Sequence, residues 1–295
     1  MATDINVQGE DRIGNYKFVR ILLQGQNSSV MEVVQEGSGR KFALKQLLPG
    51  KASIPEERKI FELEAKIGML MRHPNLVFVH EYVKDKKQPY FLMDFFPSTH
   101  MRLVMAKQAL YQEYRPKLHR IIEQAMAGIA YMHDKGYVHR DIKPENVIVN
   151  KTGEVRVIDY SLSLKIPTGF AKMFAGKPPC QGTHSYMSPE QIRRLPLTLQ
   201  SDIYSLGIML YEFASKRKPF NANSGPELLR KHLNETPSPL ASYEKSVTPE
   251  FSDLVMKMIK KKPADRPKNM HELMSMFSRI RVYKDDPDPM AGRGM

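Results

Sequence analysis

Three apolar-rich runs open the folded part of the chain: KFVRILL, SSVMEVVQE and RKFALKQLL, between residues 16 and 48. QGQN and GSG separate them, which is turn chemistry, so the pattern predicts β-strands joined by tight turns. From Pro55 the period lengthens. Ile60, Phe61, Leu63, Ile67, Leu70 and Met71 recur at near-helical spacing, and His73-Pro74 is expected to stop that helix. Two more strand-like runs follow, LVFVHEYV and YFLMDFF. After Pro97 the pattern turns helical. Leu118, Ile121, Ile122, Ala125, Ile129 and Met132 form one stripe, with Gly136 at the C′ position. DIYSLGIMLYEFA, residues 202–214, is apolar nearly all round and predicts a buried helix. Residues 250–281 predict further helix.

A small β-rich part therefore precedes a larger α-rich part, with the junction near Phe96–Ser98. The expected organisation is an extension over 1–15, one domain over 16–281 divided into 16–96 and 97–281, and a disordered tail over 282–295. Within the second part, NVIVNKTGEVRVID is two β-branched runs around NKTGE and predicts a hairpin. With the turn near Thr152, facing residue numbers sum to about 304 or 305, so Asn146 faces Ile158 or Asp159. Either way an amide and a carboxylate meet at one end of the hairpin. That is hard-oxygen chemistry of the kind Mg²⁺ accepts when phosphate and water supply the rest.

Composition narrows the class. The chain has 295 residues, 41% hydrophobic and 26% charged, an ordinary globular balance. No apolar run begins the chain and none approaches the roughly 18 residues of a membrane span. Cys180 is the single cysteine, so no intramolecular disulfide forms, and a reducing, cytoplasmic setting is expected. Lys and Arg number 45 against 32 Asp and Glu, a formal charge of +13. The surplus is spread out. Its densest cluster, KMIKKKPADRPK, has helical spacing and reads as a solvated helix face. No zinc spacing, aromatic interleaving or internal repeat is present, so nucleic-acid binding is not expected.

The chemistry is concentrated in HRDIKPEN, residues 139–146, which runs straight into the hairpin. With IDYS after the hairpin, this stretch resembles the catalytic loop and metal-binding motif of eukaryotic-type (Hanks-type) serine/threonine protein kinases. Several motifs appear in the family's order over roughly residues 16–280. The resemblance implies a bilobal α+β fold, with a β-rich N-lobe carrying one key helix and an α-helical C-lobe. It implies ATP and Mg²⁺ as cofactors and a protein with a Ser/Thr acceptor as partner. Asp141 would be the catalytic base and Lys143 would neutralise the transferring phosphoryl group. Asn146 and Asp159 would hold Mg²⁺.

FALK resembles the family's VAIK strand, so Lys45 would hold the α- and β-phosphates and Ala43 would touch adenine. Glu64 is the implied carboxylate partner of Lys45, with Glu62 and Glu57 as second choices. Leu22, Leu23, Gly25 and Val30 would line the nucleotide from the first hairpin. Met93 would be the gatekeeper, the backbone of Asp94 and Phe96 would bond adenine, and Ile148 would pack under the ring. GTHSYMSPEQ resembles the substrate-binding loop, in which Thr183 is the structural threonine. Glu190 would pair with Arg266, and Asp202 would anchor the catalytic loop. His139 reads as structural.

Three departures stand out. LQGQNS puts Leu23 and Ser28 where the family has its first and third glycines, which stiffens a loop meant to approach phosphate. DYS replaces DFG, keeping Asp159 as ligand. Residues 169–182 contain no Ser, Thr or Tyr. Ser163 and Thr168 are the early hydroxyls, and activity is expected not to depend on phosphorylation near the substrate loop. Two rival functions follow from the same residues. One is a pseudokinase scaffold that binds ATP or partners with little transfer; the other is a small-molecule kinase. Lys143 and GTHSYMSPEQ favour a protein substrate.

Overall fold

The structure is a computed structural model that describes residues 12–167, 169 and 176–289. Its chain forms two compact units, one of residues up to Arg72 plus Val77–Pro97, the other of His73–Leu76 plus the chain from Ser98 onward. One boundary between the units falls at Pro97–Ser98, and His73–Leu76 belong to the second unit.

The first unit holds β1 (Arg12–Ile13), β2 (Tyr16–Gln24), β3 (Ser28–Gln35), β4 (Lys41–Leu47), α1 (Pro49–Ala52), α2 (Pro55–Gly68), β5 (Val79–Val83) and β6 (Tyr90–Asp94). The strands form one antiparallel sheet in the order β1-β2-β3-β4-β6-β5. Alternation along a strand sends every second side chain to one face. Tyr16, Met31, Val33, Phe42, Leu44 and Leu92 fill one buried cluster, and Leu47, Phe61, Ala65, Val79 and Phe91 belong to a second, against α2.

Pro at the first position and Glu56 and Glu57 in the first turn suit the start of α2. The helix ends at Gly68, five residues before His73. The expected apolar stripe is met in part. Phe61, Ile67 and Met71 are buried as expected, whereas Ile60, Leu63 and Leu70 are exposed; Phe61, Glu64, Ala65 and Gly68 make the inward face. Spacings of three, four and seven put the inward four on one face, and that face carries the carboxylate.

The second unit contains β7 (Thr99–His100), α3 (Met101–Ala106), α4 (Gln108–Tyr114), α5 (Leu118–Asp134), β8 (Tyr137–Val138), β9 (Val147–Val149), β10 (Val155–Val157), β11 (Leu164–Lys165), α6 (Pro189–Ile192), α7 (Gln200–Ser215), α8 (Gly225–Asn234), α9 (Pro249–Met258) and α10 (Met270–Phe277). The α5 stripe is buried as expected, and Gly136 follows the helix cap at φ +79°. Helix α7 is buried along nearly its whole length. Gly207 lets α9 come close: a Cβ there would lie 2.8 Å from Met258 and Ile259. No described helix is long and apolar enough to cross a membrane.

Three expectations need correction in this unit. Residues 250–281 are not continuous helix but α9 and α10 with a 3-10 turn, Pro263–Asp265, between them. Proline at 263 and again at 267 stops helix propagation there. The KMIKKK cluster is therefore not one helix face. Met258 closes α9, Met258 and Ile259 are core, and Lys261 is half-buried with Nζ donating to the His232 carbonyl at 2.9 Å. The tail begins later than residue 282. Val282 and Tyr283 are buried, Tyr283 bridges to Val247, and its hydroxyl lies 2.8 Å from that of Tyr111. Residues 1–11 of the extension and 290–295 of the tail lie outside the described residues.

The α8 residue His232 gives this unit a measurable acid sensitivity. Burial first, then Lys261 and Lys218, push its imidazole down to about 3, against a hydrogen bond with the Ser185 backbone. The unfolded chain takes up this proton below about pH 6.5 and the folded chain only near 3, so stability falls as pH drops through that window. At pH 5 the loss is about 2 kcal/mol. Comparing denaturation midpoints at about pH 7 and pH 5, the wild type should lose this increment and His232→Gln should not.

Candidate active site

In the first unit, the register of the sheet gathers the expected nucleotide residues. Leu23 pairs with Val30, Val30 with Lys45 and Lys45 with Phe91; Ala43 pairs with Met93 in the next row. Directly opposed residues share a face, so Leu23, Val30, Ala43, Lys45 and Met93 all lie on one side of the sheet. Leu22 falls in the irregularity between the paired positions Ile21 and Leu23. Leu23 is 59% exposed. Gly25 closes the turn, its N–H donating to the Ser28 carbonyl at 2.9 Å.

Lys45 donates to both carboxylate oxygens of Glu64, at 2.6 and 2.8 Å, and both side chains are largely buried. Of the three carboxylates considered from sequence, Glu64 is therefore the partner. Glu62 pairs with Lys66 and Lys84 instead, and Glu57 accepts from Asn27. The Asp94 N–H is taken by the Phe78 carbonyl at 3.1 Å, and its carboxylate lies 2.7 Å from His80 Nε2. Phe96 is half-buried just beyond β6.

In the second unit, α7 carries the anchor of the loop that holds residues 139–146. Asp202 is fully buried and accepts the backbone N–H groups of His139 and Arg140, each at 2.8 Å, with His133 Nε2 2.9 Å away. Burial alone would raise this carboxyl. The hydrogen bond and charge of His133, the charge of His139 and the His139 N–H outweigh it and hold it below the usual carboxylate range. Two fixed amides leave the next residue, Asp141, little freedom. Arg140 takes a left-handed turn there, at φ +71°.

Asp141 Oδ1 accepts the Thr183 N–H at 3.0 Å and its hydroxyl at 2.8 Å. Oδ2 accepts Lys143 Nζ at 2.5 Å and Asn146 Nδ2 at 3.2 Å. Lys143 also donates to Thr183 Oγ1, at 3.0 Å. Carboxylate, ammonium and hydroxyl thus stand in mutual contact, the constellation a positioned proton acceptor beside a cation requires.

The hairpin settles what the sequence left open. Val149 pairs with Val155, Ile148 with Arg156 and Val147 with Val157, so facing numbers sum to 304. Asn146 therefore faces Ile158, whose N–H donates to the Asn146 carbonyl at 3.0 Å, and Asp159 is the next residue. Ile148 is half-buried in the middle of β9. With Nδ2 committed to the Asp141 carbonyl at 2.9 Å, Asn146 has its amide oxygen to offer a cation. Asp159 sits at φ +70°, a conformation Asp tolerates better than most residues, and its Oδ1 accepts the Ser161 N–H at 3.2 Å. Tyr160 is buried, tilted against His139 at 6.2 Å between ring centroids. Ser163 is buried too, its N–H donating to the Tyr160 carbonyl at 3.0 Å. Thr168 lies outside the described residues, as do 170–175.

Glu190 meets Arg266 as expected, through two hydrogen bonds at 2.8 and 3.0 Å. A further network had no signal in the sequence because its members lie far apart. Arg102, on α3, donates to Glu145 in the loop before β9 at 2.8 Å and to Glu212 on α7 at 2.7 Å; Tyr186 donates to Glu212 and accepts from Arg102. Thr183, the expected structural threonine of the substrate loop, touches both Asp141 and Lys143 directly.

The protein kinase domain family matches residues 16–277. Similar proteins include the serine/threonine-protein kinase PknA of Mycobacterium tuberculosis, 28% identical over 94% of this chain and 63% of the relative. A probable serine/threonine-protein kinase, pknA2, of Bifidobacterium longum is 27% identical over 95% of the chain and 38% of the relative. The mouse serine/threonine-protein kinase Nek3 is 31% identical over 86% and 47% respectively. The chain thus spans less than two thirds of the length of each of these relatives. With the motifs in order and the match running across both units, the chain belongs to the protein kinase domain family.

Proposed function

We propose that this chain is a cytoplasmic serine/threonine protein kinase that transfers the γ-phosphate of ATP to protein hydroxyls. The observation that carries the reading is the contact set of Asp141 with Lys143, Asn146 and Thr183. Asp141 accepts the acceptor hydroxyl's proton on Oδ2, and Lys143 Nζ, beside it, meets the charge of the transferring group. Lys45, held by Glu64, suits the α- and β-phosphates because a paired lysine is a fixed point charge.

The donor set also fits a magnesium ion. Asn146 supplies an amide oxygen and Asp159 a carboxylate. Among the described residues no three His, Cys, Asp or Glu side chains gather into a protein-only metal cage. An ion held here would draw its other ligands from phosphate and water, as Mg²⁺ does. Such an ion would neutralise charge on the phosphates, and Asn146 and Asp159 would hold it from the two strands at the open end of one hairpin. Leu22, Leu23, Gly25, Val30, Ala43, Met93 and the backbone of Asp94 and Phe96, all in the first unit, would line the nucleotide. The named activities of the relatives support a protein acceptor.

The test is transfer of labelled phosphate from Mg·ATP to a generic protein substrate. Lys45→Met and Asp159→Ala should each lower the rate by about 10² or more, since Lys45 would meet the phosphates directly and Asp159 would hold the ion that neutralises them. Mg·ATP binding without transfer by the wild type would replace this reading with a nucleotide-binding scaffold.

A further inference from the structure

The loop that touches Asp141 also carries a cation. Thr183 contacts the Asp141 carboxylate, and two residues on, Ser185 Oγ accepts Lys218 Nζ at 3.0 Å. Lys218 stands over the Tyr186 ring, 5.8 Å from its centroid. Two residues span at most about 7 Å, so this ammonium flanks the site where an acceptor hydroxyl would meet Asp141. Among the described residues no carboxylate lies within 4.0 Å of it.

The nearby acids are already engaged. Glu212 accepts from Arg102 and Tyr186 and is buried. Glu227 accepts the Asn223 N–H at 3.3 Å. Glu145 gives one oxygen to Arg102, and its Oε2 has no hydrogen-bond partner, which makes it the one competing feature, suited to a cation. The wider field is positive, with a formal charge of +13 over the chain.

We propose that Lys218 is a specificity-determining residue, and that the preferred acceptor is an acidic segment whose Asp, Glu or phosphorylated side chain meets its ammonium beside Ser185. The inference rests on the protein-kinase reading and names the substrate class of that same site. A half-buried ammonium held by one hydroxyl is positioned and only partly solvated, so it discriminates a carboxylate from an amide or an ammonium. An extended peptide advances about 3.3–3.6 Å per residue, so a side chain within several positions of the acceptor reaches it.

The experiment is a positional scan. Peptides with one Ser or Thr carry Glu, Gln or Lys, one position at a time, up to six residues on either side. Initial rates are measured at low and at high salt. For the wild type, Glu at one or more positions should raise kcat/KM about fivefold over Gln, with the gain shrinking at high salt. Lys218→Glu should turn that preference towards Lys at the same positions, and Lys218→Arg should keep it for Glu. A wild-type preference for Lys would assign selection to Glu145 and overturn the proposal. An unchanged Glu-to-Gln ratio in Lys218→Glu would overturn it as well. Transfer to none of the peptides nor to a mixed protein substrate would instead defeat the kinase reading, and this inference with it.

Discussion

Asp141→Asn should lower phosphate transfer by about 10²–10⁴, the usual worth of a positioned proton acceptor, and should leave nucleotide affinity nearly intact. The substitution is close to isosteric. Asn can still accept the Thr183 N–H through its Oδ1, so the loop keeps its anchor to the substrate loop. What disappears is the negative charge beside Lys143 and the ability to take a proton. Lys143 then faces an amide at the position where it now meets Oδ2 at 2.5 Å. Single-turnover rates with saturating Mg·ATP separate the chemical step from binding. A drop smaller than tenfold in that step would remove Asp141 from its proposed role. Because Asp202 fixes the two amides just before Asp141, Asp202→Asn should lower the same rate by displacing Asp141, with a loss of stability that Asp141→Asn does not share.

Arg266→Met should cost the second unit about 3–5 kcal/mol, because it leaves the Glu190 carboxylate buried without its counter-charge. Neither side chain has appreciable contact with solvent: 0% and 3% exposed respectively. Arg266 also ties together backbone from several places, donating to the carbonyls of Lys260, Lys261 and Gln200. Those bonds are lost at the same time. Ser201 Oγ still donates to Glu190 at 2.8 Å, but one hydroxyl does not replace a guanidinium. The expected reading is a denaturation midpoint lowered by about 10 °C. Glu190→Gln combined with Arg266→Met should recover part of the loss, since no unpaired charge then remains inside. Equal losses in the single and double variants would mean that the carbonyl bonds, not the ion pair, carry the stability.

The residues with chemistry were legible because that chemistry is local. Asp141, Lys143 and Asn146 lie within six residues, and the hairpin that follows needs only β-branched runs and a turn to form. The strand that carries Lys45 and the buried helix that holds Asp202 were legible because period and composition report which face of an element is apolar; Lys45 and Asp202 themselves stood out only through the resemblance. The resemblance implied Glu64 ahead of Glu62 and Glu57, and in the structure Phe61, Ala65 and Gly68 turn its face towards Lys45.

Other features were set only by packing. A hairpin register of 304 rather than 305 is a difference of one residue, and both leave the β-branched positions paired; the bond from Ile158 to Asn146 decides it. The outward turn of Ile60, Leu63 and Leu70 runs against hydrophobicity, because a buried ion pair and two small residues claim the inner face of α2. The tail's Val282 and Tyr283 become core through partners at Val247 and Tyr111, far earlier in the chain. Arg102 meets Glu145 across 43 residues and Glu212 across 110, and Lys218 meets Ser185 across 33. Sequence alone determined on which elements the side chains proposed for phosphoryl chemistry ride. The tertiary structure alone decided which charges neutralise one another and which remain, because pairing depends on distance in space, and periodicity carries no information about distance between separate elements.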